Sequence, residues 1–590
     1  MHETLKRRSI LWVKLLEYFS FGGLFIALIA VSLIRINATD TPWHLFTAQV
    51  ALSEGEFLIR NKFSYTYPEH TLFQQYPIYQ IILFLIYQAF GWEGLSILHC
   101  TTWIGIYLLW LSWASPGRQQ IKFFSLAWMV CLLGLQRRMI LRPDMISIFL
   151  LISLLIVFEL YRKGNKWAAA VLVAIQFLLV NSHQLFPLGI GFQIVFLVHL
   201  LIVRRFAGRY GVAETDRDLL IVPIALAIGG SIIVCLLNPL GTDIVNAIIH
   251  TASSLQHHGK HVSELKPFYS EPYSLLLIIF SSALGFIGIY RKRRAWQPFE
   301  IGLWIIAAFV LSAAIRGIAL YAMICIGIFG RSFFGITLVE KGIEGKDQLG
   351  EVIFRAFCAA LTLTIIGGIL YARWVAPVRI LGGTQPGIGL AHGVWPHETI
   401  KFLKENPPPG EMINLSWYSG NFLIFDLFPQ YRVFVDPRFE SYPRDFLLKV
   451  IEAERSRQAF QELISRYQPD WMVLEIRLSH LNTLAVELIR ENSWVIVHAD
   501  TVLLTLVRNL AKNASYIANH KLNPENIVPK DFLNSEPDLR ALQEIRMARL
   551  FADFGLHSKA QEMIRNAELV ADRYVSVQTA MKEFKAGEGN

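Results

Sequence analysis

Charge is scarce in this chain. Only 17% of its 590 residues are Asp, Glu, Lys or Arg, against 54% hydrophobic and 13% aromatic. That balance excludes a large soluble enzyme and points to a protein crossing a bilayer many times. Cysteine is scarce too. Cys100, Cys131, Cys235, Cys325 and Cys358 all fall in apolar segments without metal-ligand spacing. They read as inert core residues, not as a zinc site. A basic flank precedes the first apolar run, but no small-residue cleavage site follows it, so that run is expected to be retained as a span. The net charge of +9 is spread over Lys6-Arg7-Arg8, Arg162-Lys163, Arg204-Arg205 and Arg291-Lys292-Arg293-Arg294. Short basic runs between apolar segments are the positive-inside pattern, so no nucleic-acid partner is expected.

With the basic N-terminus in the cytoplasm, the apolar run Pro77 to Phe90 raises a conflict. If it crossed, Ser115-Pro116-Gly117-Arg118 and every later basic run would face the wrong side. Read as a membrane-hugging part of the first outer loop, it restores the charge rule. The expected spans are 15–34, 94–114, 121–135, 145–160, 167–181, 186–203, 219–237, 272–290, 298–315, 317–335 and 352–373, about eleven crossings with the C-terminus outside.

On that topology the polar exceptions gather on one rim. They are Asp40 and His44; Arg137, Arg138, Arg142 and Asp144; Asn181 and His183; Asn238; the stretch His250 to Glu264; and Arg316. Ionisable groups at a membrane edge are costly unless paired or facing a wet cavity, which marks the rim as a site. The plainer reading is that Asp40 caps an interfacial helix and Trp43 belongs to an aromatic belt. The spans themselves read as largely uncharged.

Composition changes after Trp374. Residues 1–374 form the transmembrane domain, with a first outer loop over 35–93. Residues 375–508 read as a soluble, extracytoplasmic α/β domain. Its expected strands are 432–435, 471–474, 494–497 and 502–506, with an amphipathic helix from Glu452 to Tyr467. Residues 509–590 read as a helical tail of one or two TPR-like hairpins, with Ile545, Ala548, Ala552, Ala560, Met563 and Ala567 as its apolar face. Asp436-Pro437-Arg438 is the most site-like stretch there, with an Asp–Arg pair bracing a turn as the simpler account.

Several motifs, in order, carry a likeness. Asp40-Thr41-Pro42-Trp43-His44-Leu45 and Phe63-Ser64-Tyr65-Thr66 open it. Arg142-Pro143-Asp144, Asn181-Ser182-His183, Asn238-Pro239-Leu240-Gly241 and Arg316 follow. Gly420-Asn421-Phe422-Leu423-Ile424 and Arg432-Val433-Phe434-Val435-Asp436-Pro437-Arg438 close it. Over residues 15–508 the chain resembles bacterial members of the GT-C superfamily of membrane glycosyltransferases. The nearest likeness is to a poorly characterised group with an Asp-x-x-Trp-His-Leu-like first loop and a soluble outer domain. It departs from that pattern at Asn61, where an acid is usual, and at Pro437, where glycine is usual.

The resemblance implies a polytopic α-helical GT-C fold with a C-terminal α/β domain and a short helical tail. It also implies a multi-pass enzyme of the bacterial cytoplasmic membrane that serves the cell envelope. Such an enzyme moves a sugar from a polyprenyl-phosphate carrier to a glycan, lipid or protein acceptor. It needs a base for the acceptor hydroxyl and positive charge for the departing phosphate. By resemblance Asp40 is the base, with His44 and Asp144 beside it. Arg137, Arg138, Arg142 and Arg316 are the candidate phosphate ligands, and His183 and Glu264 are further substrate contacts. No cofactor is required, although a divalent cation stays open, with His257, His261 and Asp40 as weak candidate ligands. Two other classes remain: a non-catalytic scaffold of envelope glycan assembly, and a lipid-linked glycan transporter. Loss of activity in a folded Asp40 variant separates the first from an enzyme, and mid-membrane charge would mark the second.

Overall fold

The computed structural model describes residues 2–37, 40–55, 57, 60–71, 76–114, 125–136, 138–249, 266–333, 347–375, 384–528 and 536–587. Each apolar segment expected to span carries a helix. The first eight helices are α1 (His2–Ser32), α2 (Thr41–Glu54), α3 (Pro77–Ala114), α4 (Ser125–Gln136), α5 (Pro143–Arg162), α6 (Ala168–Val180), α7 (Pro187–Phe206) and α8 (Val222–Val234). Pro272–Arg291, Pro298–Ala313, Ile318–Arg331 and Asp347–Leu370 complete the apolar set. Among the described residues, six helices are long and apolar enough to cross a membrane. Prolines open α5, α7, Pro272–Arg291 and Pro298–Ala313, where the missing N–H has no helical partner to lose.

The helix α3 is broken at Gly91, whose φ of 61° and ψ of −156° suit only glycine. The run before the break is held at both ends. At its start Ile78 N donates to Asn181 O at 3.0 Å. Just past its end, Trp92 packs on Trp395 with ring centroids 5.4 Å apart. Beyond the break the helix enters the core, where Trp103, Trp110, Trp113 and Trp128 are fully buried. Buried indoles need acceptors, and Trp110 Nε1 donates to Met323 O at 2.8 Å.

The spans carry more charge than their sequence suggests. Arg331 lies 2.9 Å from Glu159 and 3.0 Å from Glu300, while Lys292 lies 2.7 Å from Glu300. Arg162 bonds Glu159 at 2.7 Å and Asp216 at 2.9 Å, and His199 joins Asp216 at 2.9 Å. Three acids, three cationic side chains and His199 are paired off there, as buried charges must be. The network sits at the far ends of helices whose near ends hold Asp144 and Arg316. From residue 144 to residue 159 of one helix is about 22 Å.

The α/β part holds a four-stranded sheet in the order β1-β2-β4-β3, with β1 (Met412–Asn414), β2 (Trp471–Glu475), β3 (Trp494–Ala499) and β4 (Leu503–Arg508). β1 and β2 run parallel, and β4 is antiparallel to both neighbours. The run 432–435 does not enter the sheet. Val433 bridges Ser64 of the first outer loop, with Val433 N donating to Phe63 O at 3.0 Å. The stretch from Glu452 is two helices, Arg444–Ala453 and Arg457–Tyr467, because Ser456 caps the second by accepting from Ala459 N at 3.3 Å. The tail folds as Pro537–Asp553, His557–Ala571 and Val575–Gly587, with Ala548, Ala560 and Ala567 buried between them.

Two seams join this part to the bundle. Residues 34–36 pair with 385–391, Ile36 N donating to Gly389 O and Arg35 N to Gln385 O, each at 2.8 Å. Phe46, Phe63 and Phe428 form the second, with centroids 5.2–5.4 Å apart.

Candidate active site

The site is built where the loops before α2, α5 and α7 meet. Proline disfavours helical geometry at its predecessor, and Arg142, ahead of Pro143, is extended at φ −139° and ψ 160°. Its guanidinium thereby reaches the first outer loop, with Nε 3.0 Å from Asp40 Oδ2. Two residues further on, Asp144 pairs with Arg138. Arg142 also stands close enough to Asp144 to act on it electrostatically. The two acids expected to share a site therefore belong to one cluster of paired carboxylates and guanidiniums.

Asp40 occupies the N-cap position of α2 but makes no side-chain capping bond. Trp43 is 3% exposed, too buried for an aromatic belt, and packs on His44 with centroids 3.6 Å apart. The plainer reading of both residues therefore fails. His44 is also buried, and its Nδ1 lies 3.2 Å from Gln80 Nε2. An amide nitrogen only donates, so Nδ1 accepts. Burial, with the nearby His183, Arg142 and Arg438, holds this imidazole well below its usual pKa. His44 is a neutral ring here.

His183 closes the other side. The Tyr76 ring stands between the two histidines, 5.8 Å from His44 and 5.6 Å from His183. Burial lowers the His183 pKa to about 4; Asp144 opposes the shift, while Arg316 and Arg138 add to it. Arg316 thus joins the same rim. Asn181 and Asn238 serve the scaffold instead: Asn181 Nδ2 donates to Leu237 O at 2.9 Å, and Asn238 Nδ2 to Cys235 O at 2.6 Å. Arg137, His257, His261 and Glu264 lie outside the described residues.

Sequence reasoning missed Tyr76, Tyr79 and Gln80. Their signal was a polar i, i+3, i+4 stripe at the start of an apolar helix. Tyr79 lies edge-on to His44 at 5.1 Å and faces both Asp40 and Asp144 electrostatically. Tyr79 OH, Asp144 Oδ1, Ser182 Oγ and His183 Nδ1 are all buried without a hydrogen-bond partner. Native proteins leave few such atoms, and those of Tyr79, Asp144 and His183, which lie within electrostatic reach of one another, suit a polar ligand. A metal suits the described residues poorly. Both carboxylates are held by arginines, and no group of three or more His, Cys, Asp or Glu converges among them.

No family model and no curated protein matches the sequence. Solved structures do. The archaeal oligosaccharyltransferase AglB from Archaeoglobus fulgidus, in complex with an inhibitory peptide and a dolichol-phosphate, aligns with a TM-score of 0.50. The identity is 11%, over 81% of this chain and 72% of that one. A second structure of the oligosaccharyltransferase from that organism, tethered to an acceptor peptide containing the NVT sequon, aligns at 0.51. Its identity is 12%, over 84% of this chain and 74% of that one. The chain therefore shares its fold with these two structures. The alignments cover 81% and 84% of this chain, more than the apolar helices alone could supply.

The buried histidines give one expectation about pH. Both pKa values are depressed on folding, so below pH 6.5 the unfolded chain takes up protons that the folded chain refuses. Stability should fall as pH drops from about 6.5 toward 4, by up to about 1.4 kcal/mol per pH unit for each histidine. His183→Asn should remove that residue's own share of the slope. Thermal unfolding of the detergent-solubilised protein across this range measures it; an unchanged slope would mean that His183 is solvated.

Proposed function

We propose that this chain is a bacterial GT-C glycosyltransferase of the inner membrane, transferring a sugar from a polyprenyl-phosphate carrier to an acceptor on the outer side. The observation that carries this reading is the rim, where Asp40–Arg142 and Asp144–Arg138 stand together beside unpartnered buried polar atoms. The fold likeness supports it.

Asp40 is the base and accepts the proton of the acceptor hydroxyl. The acceptor oxygen bonds to the sugar's anomeric carbon as the bond from that carbon to the phosphate oxygen breaks. The electron pair leaves with the carrier phosphate. Guanidinium offers a forked match to that phosphate, and Arg142, Arg138 and Arg316 take that part. An arriving phosphate competes with Asp40 for Arg142, which loosens the carboxylate as donor binds. Neutral His44 positions the start of α2, and Asp144 keeps Arg138 aimed into the rim.

Purified protein in lipid nanodiscs, given a labelled polyprenyl-phosphate sugar and envelope extract, should move label to an acceptor. If a deletion strain loses an envelope glycan while no carrier yields transfer, the protein is a scaffold. Alkaline phosphatase fused after Arg508 should be active; a fluorescent green fluorescent protein at that point, with silent phosphatase, would put the C-terminal domain in the cytoplasm.

A further inference from the structure

A cavity lies beside the rim, at the carboxyl ends of the parallel strands β1 and β2. Its volume is about 330 Å³, within the range of small-molecule pockets. Open α/β sheets bind ligands at this edge. Glu475, the last residue of β2, forms its floor and is 2% exposed. Ser416 Oγ donates to Glu475 Oε1 at 2.6 Å, and Arg477 Nε donates to Oε2. Arg477 also lies over the Tyr418 ring, 4.9 Å from its centroid.

The opposite wall comes from the helical tail and the 384–395 segment. Gln543 and Arg546 project from Pro537–Asp553, and Arg546 Nη1 donates to Gly393 O at 3.4 Å. Gly393 must be glycine: its φ is 67°, and a Cβ there would lie 2.5 Å from Gln543 Nε2. Gln385 is fixed across this segment, donating to His392 O at 2.9 Å and accepting from His392 N at 2.8 Å. The wall is therefore held in shape by bonds of its own.

Its chemistry is specific. Carboxylate, guanidinium and carboxamide each present two adjacent hydrogen-bonding atoms in a plane. Neighbouring hydroxyls on a sugar ring make that same pattern, and an aromatic wall such as Tyr418 suits the ring's apolar face. The cavity is also near the proposed base. Asn37 lines it, and three residues of chain reach at most about 11 Å to Asp40.

We propose that this cavity holds a sugar unit of the acceptor, which makes the acceptor a glycan. The inference rests on the reading of Asp40 as the transfer site. A glycan whose terminal hydroxyl meets Asp40 then lays an inner unit against Tyr418, Glu475 and Gln543.

Saturation-transfer difference NMR on the nanodisc-embedded protein tests it, with soluble trisaccharides of hexose, N-acetylhexosamine and hexuronic acid as probes. At least one should bind. Tyr418→Ala, Val502→Trp and Asn37→Ala should each weaken it, the first two by at least about tenfold, with unchanged Tm. The Asn37 side chain is exposed, so its variant guards against misfolding in the other two. Asp40→Asn should bind the same trisaccharide as wild type. No binding to wild type, or binding that ignores all three cavity variants, overturns the proposal. Transfer that survives Asp40→Asn would instead overturn the reading of the rim, and these binding measurements would stand apart from it.

Discussion

Asp40→Asn is expected to slow sugar transfer by about two to four orders of magnitude. The substitution keeps size and one oxygen for Arg142, whose Nε lies 3.0 Å from Oδ2, but it removes the proton acceptor. Folding should survive, because the amide keeps the side chain's size and an acceptor for Arg142. Carrier affinity should hold or rise, since Arg142 is then released toward phosphate. Asp40→Glu keeps a carboxylate one methylene further out and should recover part of the rate. His44→Ala should cost less than Asp40→Asn, because a neutral imidazole already bonded to Gln80 positions the loop and takes no proton. Initial rates and carrier dissociation constants for these variants decide the matter. If Asp40→Asn turns over like wild type, Asp144 becomes the candidate base.

The rim was readable because its residues violate the composition around them. An acid, an imidazole and arginines bordering long apolar runs have few structural reasons to be there. The partnership of Asp40 with Arg142 was not readable, since nothing local specifies which arginine crosses to which loop. Pro77 to Phe90 reads as a membrane-hugging part of the first outer loop, because a crossing there would break the charge rule. That reading hid Tyr76, Tyr79 and Gln80, whose stripe has meaning only beside His44. The run 432–435 carries strand-forming residues, yet its backbone pairs with the first outer loop; β propensity reports an extended chain and not its partner. β1, at three residues, is too short to show alternation. Buried charge at the far end of the bundle was invisible because Glu159, Arg162, Lys292, Glu300 and Arg331 look, one at a time, like interfacial residues.

Arg438→Met is expected to be the most damaging change to the fold. Arg438 and Asp436 are fully buried, and the guanidinium meets the carboxylate through two bonds, Nε to Oδ1 at 2.7 Å and Nη2 to Oδ2 at 2.6 Å. Nη2 also donates to Asn61 Oδ1 at 2.8 Å, and the group lies 4.8 Å from the Phe63 centroid. The Asp–Arg pair does brace a turn, as Arg438 N also donates to Asp436 Oδ1 at 3.0 Å. It further ties that turn to the first outer loop. Removing Arg438 strands a buried carboxylate, which typically costs about 3–5 kcal/mol. Asp436→Leu combined with Arg438→Met should regain much of that loss, because no unpaired charge remains. Thermal unfolding and protease resistance of the first outer loop measure both variants; an Arg438→Met protein as resistant as wild type would mean that the loop is held by its phenylalanines alone. Position 61 sharpens the point. Asn61 Oδ1 accepts from Arg438 while its Nδ2 donates to Ser441 O at 3.1 Å. An acid there could serve the first contact only and would face the carbonyl in the second. Asn61→Asp should therefore cost about 1–3 kcal/mol, and the amide at this site is the residue that the docked loop requires.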